Sequence, residues 1–591
     1  MNKLQKHIKK VMTGNFSDPS TINSIILIED ILNESNDSID KSLYYKAITI
    51  ISYYFGKTHR YNKAQYWLNK LPSNNKDHSW KVFKETLYPI FPTSYEEEQN
   101  IIKSLKRNID NFINSPNLYI TNLLILDHSF WYGYLDNNPK ELFERYAKLQ
   151  AKSFPSIYSQ KILKYQKNHN NTRIKLGIIS AGLLPIKSLN PVTIHSSSIS
   201  DSFYPTFLDL SKEIFDVIFI YYGKEKMDNM DDKNLYIPKI NPNEYNVKEV
   251  QKKIADLNLD ILLYLDLHIE PMLNCIALSK LAKVQACTHG HPVTSGLPRS
   301  IMNYFISWEA AEIDNAQEHY TEELVLISKD VVWEHFVKRS TSDGISLKNG
   351  IKWGDMKRKD LKFLSEKIDV NANWYFCAQT SFKFNYKFDT ILKNILEKDS
   401  KAQIILIKND EELYSMHDQF KTRLLINGVD IDRIVFVKKM NHEYMMAVYN
   451  NTDVVLDSFF FGGDTTTREA FEVGAPVITL PHKYLGSRWT QAYYKHIGVT
   501  ELISRDVDDY VDLAVKIAKN KEYSKKLRLK IKENSILLFN SKEASKAWEN
   551  ILIELYQRNS GEDKDVNLKE YTEIKKVTKC MGGTELMLGR I

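Results

Sequence analysis

The hydrophobic pattern of the chain changes character near residue 165. Before it, apolar residues recur every three or four positions in "SLYYKAITIISYYF", "YNKAQYWLNKL", "SYEEEQNIIKSLKRNIDNFI" and "KELFERYAKLQAKSF", with Pro, Ser and Asn turns between them. That is the period of amphipathic helices. After a polar linker, strand-length apolar runs take over: "IKLGIIS", "FDVIFIYYG", "LDILLYLDL" and "KVQA". Helical segments around "FLDLSKEI" and "YNVKEVQKKIADL" separate them, and such alternation predicts a parallel sheet with helices on both faces. A charged, irregular stretch at about 328–360 interrupts the order. It restarts with strands "NWYFCAQ", "AQIILIK", "RIVFVKK" and "DVVLDSF" and helices "FDTILKNILEKD", "HDQFKTRLLINGV" and "NHEYMMAVYNN". The expected organisation is an all-α region over 1–165, one doubly wound Rossmann-like α/β unit over 171–345, a second over 346–555, and a charged tail over 556–591. "HRYNKAQYWLNKLPSNN" looks like one tetratricopeptide-like helix, but no fixed period repeats, so a helical cap on a catalytic core is expected rather than a solenoid.

Composition narrows the class. A chain of 591 residues with 43% hydrophobic and 12% aromatic content can build several cores. The net charge of +6, from 80 basic and 74 acidic residues, implies no strong field for nucleic acid or a membrane surface. Cys275, Cys287, Cys377 and Cys580 are far apart and form no CxxC pair, which fits a reducing compartment better than a disulfide framework or structural zinc. The N-terminal "MNKLQKHIKKVMTGNFSDPS" has no apolar run behind its basic residues, and the apolar runs elsewhere are too short to span a bilayer. A cytoplasmic protein with no membrane span and no nucleic-acid partner is expected.

In open α/β sheets ligands bind beyond the carboxyl ends of the strands, so the loops there are where chemistry is sought. In "FFFGGDTTTREAFEVGAPVITLP" (459–481), Gly463, Asp464, Thr465 and Thr466 follow a strand and open a helix. Glycine permits close backbone approach, threonine hydroxyls donate, and a helix N-terminus favours an anion. Asp464 as a simple helix cap in a glycine turn explains the local sequence equally well. Glu469, one turn on, suits ribose hydroxyls or merely the helix dipole. Lys383 in "CAQTSFKFN" can neutralise a phosphate or be a solvated surface lysine. In "CTHGHPVTSG", His289 and His291, with His268 upstream, make a poor metal site without a carboxylate partner; a Gly-rich loop at a cleft mouth describes them better, and no metal is expected.

Several of these segments resemble one family. Residues 454–503, "VVLDSFFFGGDTTTREAFEVGAPVITLPHKYLGSRWTQAYYKHIGVTELI", strongly resemble the signature of the SPINDLY and O-GlcNAc transferase-like glycosyltransferases, in particular the bacterial members. "HGHPVTSGLPRSIMNYFISWEAAEIDNAQEHYTEELVLI", "CAQTSFKFNYKFDTIL" and "FWYGYLDNNPKELFERYAKL" are similar to other parts of it. The resemblance implies a GT-B fold of two Rossmann-like domains and an inverting, metal-independent transfer from a nucleotide-sugar to a protein side chain. It implies no cofactor beyond that co-substrate. It carries Lys383 onto the donor-diphosphate lysine, Thr465 and Thr466 onto paired phosphate-binding threonines, and Glu469 onto the ribose acid. Arg488 falls in the same block as a support for the nucleotide pocket, Met440 and His442 where the base is held, and His291 near sugar and acceptor. Lys383 and the threonine-lined helix tip are expected to face each other across an interdomain groove.

Two departures qualify the resemblance. Asp464 replaces the histidine of O-GlcNAc transferases, which looks closer to SPINDLY and its donor GDP-fucose; UDP-GlcNAc or another UDP-hexose is the donor otherwise implied. Asn190-Pro191 stands for a His-Pro pair, leaving His195, His291 or a donor phosphate oxygen to take the acceptor proton. The competing readings are a nucleotide-sugar epimerase of the same fold and a helical adaptor with a decayed transferase core. In the tail, "CMGGTELMLGRI" is similar to a glycine-rich loop of another GT-B enzyme.

Overall fold

The structure is a computed structural model that describes residues 2–13, 18–34, 39–72, 76–126, 129–165, 172–183, 197–223, 231–240, 242–338, 352–408, 414–560 and 578–581. Asn190, Pro191, His195 and "CMGGTELMLGRI" beyond Met581 lie outside the described residues.

The N-terminal region is helical as its periodicity predicts. Helices at Asn2–Thr13, Pro19–Glu34, Lys41–Lys57 and Tyr61–Leu68 bury Leu4, Ile8, Ile28, Ile48, Ile51 and Trp67 in a core of their own. The helix Tyr95–Asn114 starts where Ser94 Oγ accepts from the Glu97 amide at 3.2 Å, with Glu96, Glu97 and Glu98 favoured by the helix dipole in the first turn. Its buried face is Glu98, Ile102, Leu105, Ile109 and Phe112. That stripe, with the helix Pro139–Ser153, joins the main core instead of the N-terminal one.

Two parallel sheets follow. The first contains β1 (Ile174–Ser180), β2 (Phe215–Gly223), β3 (Leu235–Pro238), β4 (Ile261–Tyr264), β5 (Val284–Cys287), β6 (Tyr304–Trp308) and β7 (Glu323–Ile327), in the order β7-β6-β5-β4-β1-β2-β3. The second contains β8 (Asn373–Cys377), β9 (Ala402–Lys408), β10 (Ile434–Lys438), β11 (Val454–Leu456) and β12 (Val477–Ile478), in the order β10-β9-β8-β11-β12. All pairings among these strands are parallel, and runs such as "ILLY" are buried throughout, as a sheet covered on both faces requires. In each sheet the order reverses once, between β1 and β4 and between β8 and β11. Crevices open at such switch points.

The pattern around "FLDLSKEI" resolves differently from its sequence reading. The helix spans Ser198–Leu208, begun by Ser197, and "SKEI" is a turn leading into β2. The chain also returns after the second sheet. The helix Lys542–Ser560 packs on the first sheet: Trp548 donates to the Trp333 carbonyl at 2.6 Å, and Glu549 accepts from the Ser211 amide at 2.9 Å. Beyond it, β13 (Thr578–Met581) pairs antiparallel with β7, within the stretch read as a charged tail. No described helix is long and apolar enough to cross a membrane.

Candidate active site

The second switch point holds most of the singled-out residues. Lys383 ends a short 3-10 turn, Ser381–Lys383, after β8, and Asn385 caps the next helix by accepting from the Lys387 and Phe388 amides. Lys383 Nζ donates to Gln379 Oε1 at 2.7 Å and to the Gly462 carbonyl at 3.5 Å, and lies 5.1 Å from the Phe461 ring centroid. Gln379 Nε2 donates in turn to Thr466 Oγ1 at 2.5 Å. Lysine and threonine are thus one side chain apart. They stand side by side just beyond neighbouring strands of one domain, which corrects the expectation that they face each other across the groove: β8 and β11 are adjacent in the sheet. Burial lowers the Lys383 ammonium to about 8, while Asp457 and Asp464 pull it upward.

The glycine loop is shaped by a residue the sequence reading missed. Asp457, just after β11, accepts from the Gly463 amide at 2.7 Å and from Thr479 Oγ1 at 2.8 Å. A Cβ on Gly462 would sit 2.8 Å from that carboxylate, and one on Gly463 would sit 2.5 Å from Thr466 Oγ1 and 2.7 Å from Gln379 Nε2. Both glycines are required by close approach. The Gly463 carbonyl accepts from Thr467 Oγ1 and, at 3.4 Å, from Thr490 Oγ1. Asp457 carries a readable signal, an acid at the C-terminal end of a buried strand; Gln379 carries none beyond its position in the Lys383 loop.

The helix Thr465–Glu472 begins at this loop. The first amides of a helix have no intrahelical partner, and they suit an anion. Asp464 stands at the cap position without capping: its carboxylate accepts from the Tyr493 hydroxyl and pairs with Arg468 at 3.3 Å. Thr465 Oγ1 accepts from Arg468 at 3.3 Å. Glu469 lies on the face toward the loop after β10, 3.4 Å from His442 Nδ1. Met440, two residues before His442, is half-buried against the main core, and Asn441 caps the His442–Asn451 helix. His442 and Glu469 are therefore brought together. Arg488 is not turned to them; it donates to the carbonyls of Ala311 at 2.7 Å and His482 at 2.9 Å, fastening the two α/β domains.

Across the cleft, His291 follows β5 and is buried. Burial, His268 and the Lys383 charge hold its imidazole well below the usual histidine range, so it is neutral near pH 7. Its ring lies 5.0 Å from Phe130, 5.9 Å from Tyr134 and 6.3 Å from Phe461. His289 is directed elsewhere, its ring 3.5 Å from that of Trp333. The segment around Phe130–Tyr134 comes from the helical region and forms a third wall: Tyr134 lies 4.6 Å from Phe461 and 5.0 Å from Phe382. Gly133 presses so closely on His291 that an added Cβ would meet its Cε1 at 2.7 Å. A cavity lined by Gly133, Pro292, Val293, His319, Phe461 and Tyr484 has room for about 20 Å³, which is enough for one water. Another, of about 620 Å³, lies away from the cleft among the helices carrying Gln65, Lys84 and Asn108.

Two Rossmann-like domains with a cleft at their switch points, behind a helical region, define a GT-B fold. An O-GlcNAc transferase mutant from Thermobaculum terrenum shares that fold with a TM-score of 0.66, over 94% of this chain and 98% of its own, at 16% identity. Residues 371–547 match the family model of glycosyl transferase family 41, and parts of the chain are similar to SPINDLY and O-GlcNAc transferase proteins. The probable UDP-N-acetylglucosamine–peptide N-acetylglucosaminyltransferase SPINDLY of Petunia hybrida is 23% identical over 288 residues, 48% of this chain and 28% of that protein. The UDP-N-acetylglucosamine–peptide N-acetylglucosaminyltransferase of Caenorhabditis elegans is 26% identical over 166 residues, 28% of this chain and 14% of that protein. The chain thus spans less than a third of the length of these curated relatives.

Proposed function

We propose that the protein is a cytoplasmic, metal-independent, inverting glycosyltransferase that moves a sugar from a nucleotide-sugar to a protein side chain. UDP-GlcNAc or another UDP-hexose is the expected donor, with GDP-fucose its competitor. The observation that carries the reading is the Lys383–Gln379–Thr466 junction at the β8/β11 switch point, directly against the Gly462–Gly463 turn. A hydroxyl or amide of the acceptor forms a bond to the anomeric carbon as the bond from that carbon to the diphosphate oxygen breaks. The electron pair leaves with the diphosphate, and the acceptor proton passes to His291 or to a phosphate oxygen. Charge grows on the diphosphate, so donors already in place there supply the main stabilisation. Lys383, the Thr465 and Thr466 hydroxyls and the helix amides are those donors. Glu469 and His442 meet ribose and base beside Met440, and Arg488 holds the domains at the spacing the donor needs. The test is sugar transfer to protein by wild type and Lys383→Ala: the variant is expected to lose on the order of 10²–10³ in rate, and undiminished transfer refutes the assignment.

A further inference from the structure

Asp464 poses a problem that the proposed function leaves open. A carboxylate at the first position of an anion-binding helix repels a diphosphate. It is also built to compete with it, because aspartate is among the best N-caps and would accept from the amides the phosphates need. In this protein it does neither. It makes no capping bond, and its Oδ1 is held by the Tyr493 hydroxyl and by Arg468.

Arg468 is itself fixed from several sides. It is buried, with 6% of its surface exposed. Its guanidinium carbon lies 3.2 Å from the centroid of Phe336, and one of its amino groups donates to Ser202 Oγ of the first α/β domain at 3.0 Å. Nearby Glu334 is fully buried, and burial together with the Asp464 charge holds its carboxyl well above the usual range. That favours its neutral form beside the guanidinium.

We propose that Arg468 is the positioning residue that makes Asp464 compatible with a diphosphate, neutralising its carboxylate and holding it off the amides of the Thr465–Glu472 helix. The inference rests on the donor assignment above. Losing Arg468 leaves Asp464 held by the Tyr493 hydroxyl alone, looser against the helix amides, and leaves a net negative charge where the phosphates bind. The defect is then specific to the charged part of the ligand, and removing the carboxylate cures it.

The experiment is calorimetric titration of UDP and GDP, with uridine and guanosine as uncharged comparators, into wild type, Arg468→Met, Asp464→Ala and the double variant. Arg468→Met is expected to weaken the preferred diphosphate about tenfold or more while leaving the nucleoside unchanged. The double variant should recover most of that loss, and Asp464→Ala alone should bind the diphosphate at least as tightly as wild type. If the double variant binds as weakly as Arg468→Met, or Asp464→Ala weakens the diphosphate, the proposal is overturned. The Asp464→Ala arm decides the matter even should Arg468→Met fail to fold. A wild type that binds neither diphosphate overturns the donor assignment itself, a result distinct from any of these.

Discussion

Lys383 carries an ammonium in a place that disfavours one. Its burial brings the group to about 8, against an opposing pull from Asp457 and Asp464. The charged form is the one that holds phosphate, so affinity for a nucleoside diphosphate is expected to be full below pH 8 and to fall as pH rises through it. Above pH 8 binding must take up a proton, which titration in buffers of different ionisation enthalpy will show. Gly463 tests the loop. A Cβ there meets Thr466 Oγ1 at 2.5 Å and Gln379 Nε2 at 2.7 Å, so Gly463→Ala should cost little stability, about 1 kcal/mol, while lowering diphosphate affinity at least tenfold by the same assay. The glycines and the threonines were legible as a strand–loop–helix turn, whereas Lys383 was singled out by the family resemblance, its local sequence fitting a surface lysine as well. Gln379 was not legible, since its role lies in a hydrogen bond to Thr466, far away in the chain; Asp457 was missed although an acid at the end of a buried strand marks it.

Two elements act outside the unit that their position in the chain suggests. The segment bearing Phe130 and Tyr134 belongs to the helical region, yet its rings lie against His291, Phe382 and Phe461. Tyr134→Ala is expected to raise the KM for a protein acceptor several-fold with a smaller change in donor KM, measured by initial rates with each substrate varied. The helix Lys542–Ser560 buries Trp548 completely against the first domain. Trp548→Ala should lower stability by about 3–5 kcal/mol, read from the denaturant midpoint. The sequence reading did not show where either segment docks. The expected boundary at 555 falls inside the Lys542–Ser560 helix, because local pattern carries no record of which sheet a helix covers.

The molecule as a whole brings together two parallel sheets with a switch point each and a helical region whose aromatic segment packs against the loops of both α/β domains. The alternation of strands and helices foretold the two sheets. The N-terminal periodicity foretold helices, but not that those before Leu68 form a separate core while the later ones merge with the α/β domains. Inter-domain contacts such as Arg488 to Ala311 and Arg468 to Ser202 join side chains whose sequence neighbours give no sign of the partner. The claim on which the rest depends is that a diphosphate is bound between Lys383 and the Thr465–Glu472 helix. Calorimetric titration of UDP and GDP into wild type and Lys383→Ala tests it most directly. One of the two nucleotides should bind the wild type and bind the variant at least about tenfold more weakly; equal affinity for both proteins, or no binding to either, would contradict the account.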